Sequence, residues 1–242
     1  MKPTLKQAVG RYLIPRLPIS RRSFDILRFE LACVVQRLRN AINPTYHRRL
    51  RELRSRSQLS VNLGSSGYGL PGWVNIDALP RHANILVAYD IRRPLPFRTG
   101  QVKRLLAEHV VEHLDFRDEI PRLFREMHRV LEMGGVARII VPDTARYMSA
   151  YVHRSEDEFS ALGWDLHKLP ADICTAMHVV NHVFHQDGEH RFGWDFETME
   201  MALRRAGFAA VERRRYRDSA DPALAIDREE HKAYSLIVEA TK

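Results

Sequence analysis

Residues 60–77 hold two short apolar segments, 61–63 and 73–76, joined by only nine residues. Four of those nine are glycines: Gly64, Gly67, Gly69 and Gly72. A parallel crossover normally takes about a dozen residues or more, most of them helical. The link therefore has room for one helical turn or for a loop. The second segment ends on Asp77. Glycine lets backbone approach a ligand, and a carboxylate at the end of the next strand can accept from ribose hydroxyls. A dinucleotide site needs a full helix whose N-terminus faces the pyrophosphate. The short link argues against a dinucleotide and in favour of a nucleoside of another kind.

The rest of the chain from Gln58 alternates between strand and helix patterns. Apolar runs predict strands near 60–64, 73–77, 85–89, 103–107 and 136–141, then near 208–215 and 233–239. Ile120, Leu123, Phe124, Met127, Val130 and Leu131 recur at helical spacing and predict a helix over 117–131, ended by Gly134-Gly135. A second helix is expected over 195–206, with Gly207 as its stop. Residues 144–190 read as irregular and form a candidate insertion, 144–195, over the acceptor side. Strand–helix alternation implies an α/β fold with a doubly wound, mostly parallel, Rossmann-like sheet.

Residues 1–57 have a different character. Fourteen Lys and Arg stand there against Asp25, Glu30 and Glu52, a surplus of eleven; since the chain's net charge is +8, the remainder is acidic by three. Phe24, Leu27, Leu31, Val34, Val35, Leu38 and Ile42 keep the period of one helix face, with Ser23 as N-cap and Pro44 closing the segment. The two prolines in 13–19 predict an extended connector, and a second short helix is expected at about 45–57. This segment, 1–57, is read as a basic helical arm before a domain at 58–242. An anionic membrane surface, a nucleic acid or an acidic polymer would suit it, as would a solvated helix face.

Several classes are disfavoured. Cys33 and Cys174 form no CxxC pair, so neither a disulfide framework nor a thiolate metal cluster is implied. No apolar run reaches the roughly 18 residues of a membrane span, and Arg11, Arg16, Arg21 and Arg22 interrupt any secretory apolar region. The expected location is the cytoplasm, with peripheral membrane contact through the arm. There is no GxxxxGK[ST] phosphate loop, no Asn/Asp-Pro-Pro-aromatic motif and no cysteine near the fourth-strand loop.

Five blocks occur in order: Val61-Asn-Leu-Gly-Ser-Ser66, Gly72-Trp-Val-Asn-Ile-Asp77, Asp90-Ile-Arg-Arg-Pro-Leu-Pro-Phe97, Ala107-Glu-His-Val-Val-Glu-His-Leu114 and Arg129-Val-Leu-Glu-Met-Gly-Gly135. Val141-Pro-Asp143 follows. Together they resemble the class I S-adenosylmethionine-dependent methyltransferases, in the methyltransferase type 11-like group often associated with surface polysaccharide biosynthesis. The resemblance is good over 58–145, loose over 186–240 and absent from 1–57. It implies S-adenosylmethionine as cofactor, held by Gly64, Ser65, Ser66, Asp77, Asp90, Ile91, Glu108 and His109. In similar enzymes Asp77 takes the ribose diol, while Asp90 and the Ile91 N–H read adenine. The chain departs from the pattern at Asn62, where an acid is usual, and at Ser66, where a second glycine is usual.

Glu108, His109, Glu112 and His113 follow the fourth strand, at the ligand-binding edge of an open sheet. A helix starting near 109 would put His109 and His113 on one face. A hydroxyl acceptor needs a base as it attacks a methyl group, and histidine suits that task. His109 is the first candidate and His190 the second. His178 and His182 have metal-ligand spacing without a completing carboxylate, and no metal is assigned. Tyr147, Tyr151, Trp164 and Trp194 are candidates for stacking on a sugar or other ring, with Arg191 nearby, or for ordinary packing.

The expected activity is O-methylation of a sugar or polysaccharide-linked acceptor. One alternative is a degenerate, scaffold-like relative, motivated by Asn62 and Ser66. A second is an RNA methyltransferase, weakened because the arm lacks interleaved aromatics for base stacking.

Overall fold

A computed structural model describes Pro18 and residues 20–242. Apart from Pro18, the connector expected at 13–19 lies outside the described residues. Contacts divide the chain into two compact units, residues 1–44 and residues 45–242.

Within the first unit, α1 spans Arg21–Ile42. Its N-cap is Ser20 rather than Ser23: the Ser20 Oγ accepts from the Ser23 N–H. Leu27, Leu31, Leu38 and Ile42 are all more than 60% exposed, so these four apolar side chains of α1 are uncovered among the described residues. Pro44 does not merely stop α1. It opens α2, Pro44–Ser55, where its missing N–H is not needed.

The second unit is a seven-stranded sheet in the order β3-β2-β1-β4-β5-β7-β6. The strands are β1 Leu59–Leu63, β2 Val74–Asp77, β3 Val87–Ala88, β4 Val102–Glu108, β5 Leu131–Pro142, β6 Ala210–Arg214 and β7 Ser235–Thr241. β1 to β5 are mutually parallel, while β7 runs antiparallel between β5 and β6. The expected doubly wound sheet is therefore present, with one reversed strand. Its layers include α2 through Leu53, α3 Glu119–Val130 and α7 Phe196–Arg205, whose apolar faces join the main core with Val61, Leu63, Ile76, Leu105 and Ile139.

Two details differ from the sequence reading. α3 stops at Val130 and the next residue already belongs to β5, so Gly134 and Gly135 lie inside the strand element. Sheet pairing of Leu131 with Val102 overrides the glycine stop signal. Residues 144–190 are not irregular either. They contain α4 Thr144–Val152, α5 Glu156–Ala161 and α6 Ala176–His185, around a small core of Tyr147, Phe159, Leu162, Val179 and Val183.

The β1–β2 link forms no helix. Asn62 and Asn75, partners in the register, replace it with side-chain hydrogen bonds. Asn62 Nδ2 donates to Asn75 Oδ1 at 3.1 Å and to the Tyr68 carbonyl at 3.0 Å. Asn75 accepts from the Leu70 N–H at 2.9 Å and donates back to the Leu70 carbonyl at 3.0 Å. A buried amide supplies both donors and acceptors, which a carboxylate could not. The departure from the usual acid at 62 thus has a structural reason.

No helix among the described residues is long and apolar enough to cross a membrane.

Candidate functional site

The carboxyl ends of β1, β2, β3 and β4 form one edge of the sheet, and the residues singled out from the sequence collect along it. At the end of β1, Gly64 has φ +65°, and a Cβ there would come within 2.4 Å of Val110 Cγ2. The glycine is required by this conformation and by the Val110 side chain, which occupies the space next to it. Ser65 is buried with its N–H bonded to Ile76 O, while its hydroxyl has no hydrogen-bond partner. Ser66 has φ +43° and donates its N–H to Asp77 Oδ2 at 3.1 Å. Asp77 Oδ1 accepts from the Leu79 N–H at 3.1 Å, so this carboxylate sets the end of β2 and the glycine loop together.

Asp90 follows β3 and is forked by Arg92, with both contacts at 2.9 Å. Ile91 packs its side chain into the main core. Glu108, the last residue of β4, does not open onto the edge. Its Oε1 accepts from His231 Nδ1 at 3.0 Å and from the Arg228 N–H at 3.2 Å, and its Oε2 accepts from Arg228 Nε at 3.0 Å. Burial disfavours its ionised form, but the His231 hydrogen bond and the Arg228 charge outweigh this and hold the carboxyl below its usual range. The Arg228 guanidinium lies 4.0 Å from the centre of the Tyr68 ring, linking the segment before β7 to the glycine loop.

His109 has φ +50°, an uncommon conformation for a residue with a Cβ. Such strain persists where surroundings over-determine it, often at functional sites. Here the His109 N–H bonds to Ile140 O at 2.8 Å, its Nε2 lies 2.9 Å from Ser235 Oγ, and its Nδ1 lies 3.1 Å from Glu112 Oε1. The ring also lies 3.8 Å from that of His231, centre to centre. Glu112 is 1% exposed, and neither of its oxygens has an aligned hydrogen bond, so the His109 contact is an ion-pair distance without hydrogen-bond geometry.

The structure does not put His109 and His113 on one helix face. Val111–His113 is a single 3-10 turn that His109 precedes. His109 faces β7, whereas His113 faces His190, with ring centres 4.9 Å apart. His190 is buried, and its Nδ1 lies 2.7 Å from Val183 O. Burial pushes its imidazole below the ordinary range. The His178–His182 pair is used otherwise: His178 Nδ1 accepts from the Cys174 N–H, and His182 packs edge-on to Trp164.

Of the aromatic stacking candidates, Trp194 is fully buried in the main core against Phe116, Phe124 and Phe192. Tyr147 lies in the smaller core, its hydroxyl pushed up to about 12 mainly by burial, and Trp164 packs against that core. These three rings are packing residues, while Tyr151 is exposed. A groove of about 410 Å³ lined by Phe116, Ile120, Pro121, Met201 and Ala206 lies along α3 and α7, not at the strand ends. The strand ends carry the polar groups and are the better candidate site.

Sequence reasoning missed Arg228, His231 and Ser235, which the reversed strand β7 and its preceding segment bring to β4 from more than 100 positions away. No local pattern marks them.

Sheet order, the reversed seventh strand and the glycine loop beside Asp77 define the class I methyltransferase architecture. Residues 75–139 match the family model described as a methyltransferase domain, and S-adenosylmethionine is the cofactor that the resemblance implies. Among solved structures it is similar to a possible exported protein from Bordetella parapertussis (16% identity, 82% of this chain and 68% of that one, TM-score 0.46). It is also similar to S-adenosylmethionine-dependent methyltransferases from Mesorhizobium loti (16%, 84% and 100%, TM-score 0.45) and Archaeoglobus fulgidus (14%, 81% and 90%, TM-score 0.44). No curated protein matches the sequence.

The residues present fit the nucleoside part of that cofactor. A buried, unpartnered Ser65 hydroxyl stands at the β1 end, and Asp77 and Asp90 stand at the ends of the next two strands.

Proposed function

We propose that this protein methylates a hydroxyl group, with His109 as the base. The observation that carries the proposal is the arrangement of the His109 ring between a buried carboxylate, Glu112 Oε1 at 3.1 Å, and a hydroxyl, Ser235 Oγ at 2.9 Å. A carboxylate beside Nδ1 favours the tautomer that leaves Nε2 as the acceptor, and an acceptor hydroxyl could replace Ser235 there. S-adenosylmethionine supplies an electrophilic methyl group on its sulfonium. Asp77 would hold the ribose, Asp90 with the Ile91 N–H the adenine, and Gly64, Ser65 and Ser66 would line the loop beside it. In this reading Glu108 is a positioning residue that fixes Arg228 and His231, and His190, beside the His113 ring, is not the base. A sugar or polysaccharide-linked acceptor is preferred on family resemblance.

The test separates binding from turnover. His109→Gln should bind S-adenosylhomocysteine as the wild type does in calorimetry, yet lose about 100-fold or more in transfer to a hydroxyl acceptor, within the usual range for general-base loss. Full transfer by His109→Gln would remove His109 from the mechanism.

The arm supports a second proposal, contact with an anionic membrane surface. Exposed Leu27, Leu31, Leu38 and Ile42 share a helix with Arg21, Arg22, Arg28, Arg37 and Arg39, the pattern of an interfacial amphipathic helix.

A further inference from the structure

Glu112, His113 and His190 offer three ligand atoms within 4.8 Å of one another. Around a zinc-class ion, donors at about 2.0–2.1 Å in tetrahedral geometry lie roughly 3.4 Å apart. The groups therefore have to close by at most about 1.4 Å, which side-chain torsions can supply.

The protonation pattern is already that of a ligand set. His113 Nδ1 lies 3.1 Å from Glu189 O, and His190 Nδ1 lies 2.7 Å from Val183 O. A carbonyl only accepts, so each Nδ1 carries the proton and each Nε2 keeps a lone pair. Imidazoles bound to metals are oriented in this way, by an N–H donated to a backbone carbonyl. Beside the two rings stands the Glu112 carboxylate, 1% exposed and without an aligned hydrogen bond on either oxygen. The His109 Nδ1 lies 3.1 Å from Oε1, off the hydrogen-bond line. Two imidazoles and a buried carboxylate thus gather at one point, and neither carboxylate oxygen has an aligned donor, an arrangement that a cation would stabilise.

The backbone holds the groups together. The Arg191 and Phe192 N–H groups both bond to Glu112 O, at 2.8 and 3.3 Å, tying the residues after His190 to the turn that carries the other two ligands. Phe116 and Phe192 stack at 4.2 Å with a 13° interplanar angle behind this junction.

We infer that Glu112, His113 and His190 form a site for one divalent first-row transition metal ion. Two imidazoles and one carboxylate suit zinc, iron, cobalt or nickel better than magnesium or calcium, which favour oxygen-only shells. Three protein ligands leave coordination positions for water or another oxygen. The sequence reading assigned no metal, having weighed only His178 and His182; His190 lies far from Glu112 and His113 along the chain.

The test uses the full chain, stripped with a chelator, desalted and titrated with Zn²⁺ by calorimetry and with Co²⁺ by visible absorption. One ion per chain and a d–d spectrum of nitrogen–oxygen coordination are expected. His113→Ala, His190→Ala and Glu112→Gln should each weaken Zn²⁺ binding at least tenfold. His178→Ala/His182→Ala, which removes the histidines of α6, should not. Should a site variant fail to fold, the wild-type Co²⁺ spectrum and stoichiometry decide alone. Absence of stoichiometric binding by the wild type, or wild-type affinity in folded site variants, would overturn the assignment. S-adenosylhomocysteine binding, measured on the same preparations, reports the methyltransferase domain separately.

Discussion

Asn62 and Asn75 face each other across the β1–β2 register and are joined by a 3.1 Å hydrogen bond from Nδ2 to Oδ1. Through Tyr68 and Leu70, the pair fixes a link too short for the usual helix. An acid at 62 would oppose the Asn75 oxygen and the Tyr68 carbonyl with no proton to share. Asn62→Asp should destabilise the protein by about 1–3 kcal/mol, the cost of buried unsatisfied polar groups. At roughly 2–4 °C per kcal/mol for a chain of this size class, the melting temperature should fall by several degrees. An unchanged melting curve would show that the amide pair does not hold the loop.

Asp77 ties the glycine loop to the end of β2 through the Ser66 and Leu79 N–H groups. Asp77→Ala should weaken S-adenosylhomocysteine at least tenfold, because it removes both the ribose acceptor and the anchor of the loop. Calorimetry measures the loss. Asp77→Asn keeps one acceptor oxygen and should fall between the two.

Arg138 on β5 is fully buried and uses all five of its N–H donors. They go to Asp227 at 2.7 and 2.6 Å, to Glu239 at 2.7 Å, and to the Asp218 and Arg215 carbonyls. It thereby joins β5, β7 and the loop leading to Arg228 and His231. Arg138→Met leaves the buried Asp227 without its cation and Glu239 with Arg214 alone, and breaking one side of such a network costs about 3–5 kcal/mol. Urea denaturation should show a large drop in midpoint, and a midpoint equal to wild type would refute the reading.

Glu108 gives the fold a sensitivity to acid. Its folded carboxyl lies below its ordinary value of 4.5, because the His231 and Arg228 contacts outweigh burial. A depressed carboxyl contributes stability above the unfolded value and loses it as pH falls through the folded one. Stability should decline below about pH 4.5. Glu108→Gln should be less stable than wild type at neutral pH, with the difference shrinking in acid. Melting curves across pH 3–7 provide the comparison, and a difference that stays constant would rule out this linkage.

The α1 helix supplies the last prediction. Leu31 and Leu38 are 61% and 64% exposed on its apolar stripe. Sedimentation with vesicles containing an anionic phospholipid should recover the full chain, less so as salt rises. Leu31→Glu/Leu38→Glu should reduce recovery at constant salt, whereas equal recovery would assign α1 a different role.

Much of the architecture was legible because hydrophobic period reports local geometry directly. Val61, Leu63 and Ile76 alternate or cluster as buried strand residues do, and Ile120 to Val130 keep one helix face, so the strand positions and α3 followed from spacing. The Gly134-Gly135 turn was misplaced because glycine is a local signal and the pairing of Leu131 with Val102 is not. Trp194 and Tyr147 were candidates for ligand stacking on residue type alone, and only packing makes them core.

By itself, the sequence determined a parallel α/β sheet with a glycine loop, Asp77 and Asp90 at its ligand edge, since these depend on residues near one another in the chain. Tertiary structure decided what those groups can do. It turned Glu108 toward Arg228 and His231, placed His109 between Glu112 and Ser235, and brought His190 to Glu112 and His113. Apart from His109 with Glu112, three residues away, these contacts join segments distant in sequence. Their distances and donor–acceptor roles come into being only when the sheet closes, with β7 reversed beside β5.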